Sequence, residues 1–334
     1  MANIRHIAKQ AGVSATTVSR VLNNHPRVSA DVRARVVAVT NEVGYVPTIG
    51  RRSTTNIAFV YTGESSLGSP FDAALMFGMS RGMEEYGYDL MILDARRSRL
   101  PGETFTQMFV RKGIRGAVLR TTAQTRSVCE AIADEGFPSV VVGDRFENPN
   151  VSFIYSDSRQ TSREGVEHLI GLGHRRIAVC INIVDDSDHA DRVAGYRQAH
   201  ADHGLSVDEK LILRVPASRD GGEQLIRRLA MMPDRPTALF LTDPLPVIGT
   251  LSEARKLGID VPGDLSILGF DDFDARYALY PTLTAICQDA VAMGREALTA
   301  LFGMLDQPDG APVVKKAMRT WLEVHGSTGP AGAG

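Results

Sequence analysis

Cysteine is scarce in this chain: Cys129, Cys180 and Cys287 are the only three in 334 residues. So few, so widely spaced, exclude a disulfide scaffold or a cysteine-rich zinc site and read as reduced cytosolic thiols. No apolar run approaches the roughly 18–20 residues that span a bilayer. The segment Met1 to Gly12 lacks the apolar core of a secretory signal, so the expected location is the cytoplasm. Catalytic signatures are missing too: there is no G-x-x-x-x-G-K-[ST] loop, no H-E-x-x-H and no G-x-S-x-G. The eight histidines do not fall at metal-ligand spacings. Adjacent Asp271 and Asp272 would point apart, a poor acid–base pair. The expectation is therefore no enzyme, no cofactor and no metal. A large charge of one sign is also absent, the net being -2. The apolar fraction is 43%, enough for a sizeable core, and the length suits two or three domains.

The near-neutral total hides a division. Residues 1–56 hold eight basic and two acidic side chains, about +6, and the remainder carries about −8. A basic head on an acidic body points to a polyanion met by the head alone. Within the head, Ile4, Ile7, Ala8 and Ala11 fall at helical spacing, and Gly12 stands where a helix C-terminal cap needs a positive φ. Ser14 can cap a second helix from Ala15 to about Leu22, with Val18, Val21 and Leu22 facing inward. Ser29 can cap a third, with Val32, Val36, Val39 and Val43 as its stripe. Three such helices form a helix-turn-helix unit whose second helix enters the major groove. On the outer face of that helix, Arg20 can bond a guanine twice, Thr16 can bond a base or touch a thymine methyl, and Ala15 offers apolar contact. Thr17, Ser19, Asn23 and Arg27 suit phosphates, which fix register.

The stretch IAKQAGVSATTVSRVLNN, followed by RVSADVRARVVAVTNEVGYVP, closely resembles the DNA-binding head of the LacI/GalR family of bacterial transcription regulators. The likeness runs over residues 3–47 and continues in GVEHLIGLGHRRIAVC, DRVAGYRQA, GIDVPGDLSILGFDD and PTLTAICQD. It implies a homodimer or larger assembly, each head on one half-site of a double-stranded operator, and a small effector between two body subdomains. One departure stands out. The family's hinge helix, with its minor-groove leucine, is replaced by a shorter Thr48–Thr55 stretch containing Gly50 and no leucine. Arg51 and Arg52 can still enter a narrow minor groove or neutralise phosphates, and Ile49 is the one candidate wedge. A plain tether is the alternative.

The body reads as two similar α/β halves. Buried parallel strands are expected at 57–61, 89–93, 116–119 and 139–142, then at 177–181, 211–215, 238–241 and 265–269, with helices between them. The predicted architecture is a small all-α helix-turn-helix head plus an α/β body of two doubly wound parallel-sheet subdomains, by resemblance periplasmic-binding-protein-like. The divisions are 1–47 for the head, 48–56 for a shortened hinge, 57–156 plus 286–312 for the first half and 157–285 plus 313–326 for the second. Residues 327–334, rich in Gly, Pro, Ala and Ser, are expected to be a disordered tail. Crossings between the halves are placed near 155–158, 283–286 and 312–314.

In such sheets ligands bind beyond the carboxyl ends of strands. Residues at those ends are Phe71, Asp72, Arg120, Asp144, Arg192, Asp243 and Asp271. Aromatic faces, carboxylates and arginines suit a sugar or sugar derivative. By resemblance Arg192 and Asp271 match effector-contacting positions; the others rest on strand-end placement. Each has a plainer alternative: Asp144 in an ion pair with Arg145, Asp243 as a helix cap, Asp272 as a loop-ordering residue. Two arginines in one cleft also leave an acidic or phosphorylated sugar open. The expected function is a sequence-specific, effector-controlled repressor of carbohydrate-utilisation genes. A sugar-binding transport protein is the alternative, opposed by the basic head and the missing signal.

Overall fold

The computed structural model describes residues 4–22, 28–43, 54–272, 274–307 and 311–332. The head comprises α1 (Ile4–Ala11), α2 (Ala15–Leu22) and α3 (Ala30–Glu42). Gly12 adopts φ 66°, which lets the Val13 N–H turn back to the Ala8 carbonyl at 3.0 Å. Ser14 Oγ then accepts the Thr17 N–H at 3.0 Å and starts α2. Ile7, Ala8, Ala11, Val18, Val21 and Val36 close a small core beneath these helices.

The first half of the body runs β1 (Asn56–Tyr61), α4 (Pro70–Tyr86), β2 (Asp89–Asp94), α5 (Ala95–Ser98), α6 (Phe105–Arg111), β3 (Ile114–Arg120), α7 (Arg126–Asp134), β4 (Ser139–Val142) and β5 (Ser152–Asp157). The second runs α8 (Arg159–Gly171), β6 (Ile177–Asn182), α9 (Ser187–Asp202), β7 (Ile212–Val215), α10 (Arg219–Ala230), β8 (Ala238–Leu241), α11 (Pro244–Lys256), β9 (Ser266–Asp271) and β10 (Thr284–Gln288). Next come α12 (Ala290–Asp306) and β11 (Lys315–Glu323). The strands form one eleven-stranded sheet in the order β2-β1-β3-β4-β5-β11-β10-β9-β8-β6-β7. Strand order reverses beside β1 in one half and beside β6 in the other, and loops diverge there to leave a crevice. β4 and β8 are buried at every residue, as strands covered on both faces must be.

Helices meet closely through glycines. A Cβ on Gly78 of α4 would lie 2.0 Å from the Val291 carbonyl oxygen of α12, and one on Gly294 of α12 would lie 2.1 Å from that of Leu75. The second half repeats the device. Cβ atoms on Gly222 of α10 and Gly249 of α11 would come within 2.0 and 1.9 Å of the opposing backbone oxygens of Pro246 and Arg219.

Two sequence expectations need correction. The chain passes between halves after Asp157, after Gln288 and within β11. Lys315–Arg319 of β11 pair parallel with β5, and Thr320–Glu323 pair antiparallel with β10. The second and third crossings thus lie later than 283–286 and 312–314. β11 alternates exposed and half-buried residues, so no apolar run marks it. The tail is also ordered through residue 332. Ser327 is fully buried; its Oγ accepts the Thr284 N–H at 2.8 Å and donates to the Ile267 carbonyl at 2.6 Å. The Ala331 N–H reaches the Leu172 carbonyl at 2.9 Å. Small side chains let this backbone lie flat and pair, which composition alone reads as disorder.

Two histidines hold the tail. His174 Nδ1 meets Thr237 Oγ1 at 2.9 Å, and its Nε2 lies 3.0 Å from both Ser266 Oγ and the Gly329 carbonyl. His168 Nε2 meets Thr328 Oγ1 at 2.9 Å. Burial holds both imidazoles below their ordinary pKa, and the charge of His174 lowers His168 further. The unfolded chain therefore binds more protons than the native one in mild acid. The stability held by these rings is complete above about pH 6.5 and is lost as the pH falls below it. His174→Ala is expected to cost about 1–3 kcal/mol at neutral pH, since its partners are left unpaired. It should also remove part of the acid-side drop in the thermal midpoint. A midpoint–pH curve parallel to that of the parent would refute this role.

Candidate DNA-reading face and effector cleft

Ala15, Thr16 and Arg20 stand exposed on α2, opposite buried Val18 and Val21. Thr17 and Ser19 are half-buried. The Thr17 hydroxyl is 2.8 Å from Ser14 Oγ, so it belongs first to the cap. Asn23, Arg27, Ile49, Arg51 and Arg52 lie outside the described residues.

A cleft of about 380 Å³ opens between the two halves at the carboxyl ends of β1, β3, β6, β8, β9 and β10. On its first wall Phe71 and Arg120 are held rather than loose. The Arg120 Nε donates to Asp72 at 2.8 Å, its Nη1 to the Val142 carbonyl at 3.0 Å, and its guanidinium lies 4.8 Å over the Phe71 ring. Asp72 does not line the cleft. It is wholly buried behind the wall and also accepts from Tyr61 at 2.9 Å. The start of α4 right after Ser69 turns it inward.

The second wall is built on the first turn of α9. This helix starts at Ser187, because Asp186 caps it by accepting the His189 N–H at 2.8 Å. His189 then lies between two carboxylates, Asp186 at 2.7 Å and Asp243 at 2.9 Å. Burial alone would lower its pKa, but the paired negative charges raise it to about 10, so it is an imidazolium at neutral pH. That cation keeps Asp186 at about 2 and Asp243 below the usual carboxylate range, against the upward push of burial. Asp243 stands at the N-cap position of α11 but makes no side-chain cap bond, so it faces His189 instead.

Arg192 is also anchored. Its Nη1 donates to the Thr242 carbonyl at 2.5 Å and its guanidinium sits 3.7 Å over Phe270, while Nε has no partner among the described residues. Asp188, 3.9 Å from Arg192 Nη2, has an Oδ1 with no partner among the described residues. Burial and the charge of Asp186 push its pKa to about 7, despite Arg192. At the floor, Gln288 Nε2 donates to Asp272 at 2.5 Å and its Oε1 has no partner among the described residues. Burial raises Asp272 to about 6.

Three expectations shift here. Asp271 does not line the cleft: it accepts from Arg276 Nη1 at 2.7 Å and from the Ala275 N–H at 3.2 Å. Its neighbour Asp272, expected to order the loop, lines the cleft instead. Successive side chains leave a strand on opposite faces, so one of the pair had to turn away. Asp144 is likewise off the cleft, 2.5 Å from Arg126 Nη1, and its expected partner Arg145 reaches elsewhere. Phe71, Arg120, Arg192 and Asp243 share the cleft. The sequence reading missed Asp186, Asp188 and Gln288; an Asp-Ser-Asp run before a helix is the capping signal that locates the first two.

The head geometry and the two-half body have known counterparts. Residues 3–48 match the model for bacterial regulatory proteins of the lacI family, and residues 166–328 match a periplasmic binding protein-like domain. The chain is 31% identical to the HTH-type transcriptional repressor CytR of Escherichia coli (strain K12), over 98% of this chain and 96% of that one. The protein belongs to the LacI family. The HTH-type transcriptional regulator DegA of Bacillus subtilis (strain 168) is 30% identical over 88% of each chain. A solved complex of the transcriptional regulator CelR with cellobiose superposes with a TM-score of 0.69 at 27% identity, covering 98% of this chain and all of that one. As a member of this family the chain is a DNA-binding transcriptional regulator and not an enzyme. Among the described residues no helix is long and apolar enough to cross a membrane.

Proposed function

We propose that this regulator is a cytoplasmic homodimeric repressor of carbohydrate-utilisation genes, controlled by an uncharged sugar-like effector in the cleft. The observation that carries the reading is the set of buried polar atoms on the cleft walls that have no partner among the described residues: Asp188 Oδ1, Arg192 Nε and Gln288 Oε1. Buried polar groups without partners are costly, and a ligand bearing hydroxyls satisfies donors and acceptors together. A sugar acid or sugar phosphate is the poorer fit. Arg120 already serves Asp72 and a carbonyl, and His189 serves two carboxylates, so these cations face acids of the protein's own. The relative solved with cellobiose supports the same class.

The test joins binding of sugar and of DNA. Neutral sugars, sugar acids and sugar phosphates are screened for a raised thermal midpoint; a ligand at a hundred times its Kd adds about 2.7 kcal/mol. Fluorescence anisotropy with a duplex selected from a random pool then reads DNA affinity with and without the hit. Arg20→Ala is expected to weaken the selected duplex by about 1–3 kcal/mol and to flatten its preference over competitor. An exclusive response to sugar phosphates overturns the effector class. Unchanged discrimination in Arg20→Ala overturns the reading of α2.

A further inference from the structure

Arg145 lies in the loop that follows β4 of the first half. Its Nη1 and Nη2 both reach the carboxylate of Asp191 on α9 of the second half, Nη2 at 2.9 Å. The guanidinium also lies 5.2 Å from the Tyr155 ring, on β5 of its own half, so its plane is set before it crosses the gap. Asp191 is the residue before Arg192, and its side chain is 8% exposed against 43% for Arg145. Nearby, the Ala123 N–H of the first half donates to the Asp185 carbonyl of the second at 2.9 Å. A forked, two-bond contact between rigid elements of opposite halves is directional, unlike an ordinary surface pair.

We infer that the Arg145–Asp191 pair is a latch between the halves, which biases the empty cleft toward closure and so sets how much closure the effector has left to supply. The inference deepens the proposed function, for it concerns the regulation of the same cleft. The asymmetry of burial gives the direction. With Arg145 present, closing the cleft pairs Asp191. Without it, closing buries a bare carboxylate, and opening returns that carboxylate to water. An effector that binds the closed form gains affinity in proportion to the closed fraction, so the latch tunes sensitivity without touching the ligand.

The experiment measures the gap directly in the full chain. Spin labels at exposed Gln124→Cys and Asp220→Cys report the distance across the cleft, and the three native cysteines are buried. Arg145→Gln should raise the open population by about 3- to 10-fold in the empty protein. Asp191→Asn should close it again in that background, because the bare charge is gone. The exchange Arg145→Asp with Asp191→Arg should restore the parental distances. Arg145 is a surface side chain, so its loss leaves the core folded; circular dichroism checks this. Distances unaltered by Arg145→Gln overturn the latch. If they respond while no sugar raises the thermal midpoint, the latch stands and the sugar-sensor reading falls.

Discussion

Arg192→Ala is expected to leave operator binding nearly intact and to abolish the response to effector. The expectation follows from how this guanidinium is spent. Nη1 is committed to the Thr242 carbonyl and the plane to Phe270, so the side chain is rigid before ligand arrives. Nε, without a partner among the described residues, is held at a fixed position on the wall. A preorganised charged donor is worth more than a mobile one, about 1.5–3 kcal/mol for one charge-assisted bond. Truncation adds a second loss. Asp188, already raised to about 7 by burial and by Asp186, loses a cation that pulls it down and becomes more fully protonated at neutral pH. Together these give a fall in effector affinity on the order of a hundred-fold, about 2.7 kcal/mol. Arg192→Lys should recover little, because an ammonium cannot lie flat on Phe270 while bonding a carbonyl. The readout is sugar titration of the preformed DNA complex. Release by sugar at parental concentrations would show that Arg192 is only a structural brace. Loss of DNA binding as well would show a fold defect, checked by the thermal midpoint.

The head was legible because its grammar is local. Gly12, Ser14 and the valine stripes each act within one turn of the chain, and α2 begins and ends as read, Ala15 to Leu22. Strands covered on both faces were legible too, since Ser139–Val142 and Ala238–Leu241 are short apolar runs with nothing else to be. The cleft was read only in part. Arg120 was found because it ends a strand, and Arg192 because DRVAGYRQA resembles an effector-contacting segment of the family. The choice between Asp271 and Asp272 was not available, since it depends on which face of β9 meets Arg276, a tertiary contact rather than any pattern in the sequence. The Arg145–Asp191 contact joins residues 46 apart across two halves and leaves no periodic trace. β11 escaped for another reason: it pairs parallel with β5 over one half and antiparallel with β10 over the other, and it alternates exposed with half-buried residues, so no apolar run marks it.

Gly294→Ala is expected to damage the protein more than its single added carbon suggests. In α12 that methyl would stand 2.1 Å from the Leu75 carbonyl oxygen, which belongs to backbone and cannot swing aside. The helices would have to part, and their separation would loosen Leu75, Met79, Met293 and Leu298 in the core they share. Overpacking of this kind costs about 1–3 kcal/mol, and more where rigid backbone is the obstacle. Position 303 of the same helix supplies the contrast. A Cβ on Gly303 meets nothing within 4 Å, so Gly303→Ala keeps helix propensity as its main effect and should be neutral or gain up to about 1 kcal/mol. Urea denaturation of the two variants separates packing from propensity, because both make the same chemical change in one helix. The consequence reaches the cleft as well. Phe71 sits in the first turn of α4, so a displaced α4 carries this ring, and the Arg120 stacked on it, away from the wall. Gly294→Ala should therefore weaken the effector even under conditions where the chain remains folded, whereas Gly303→Ala should not. Equal urea midpoints for the two would mean that the glycine contact between α4 and α12 is not what sets their separation.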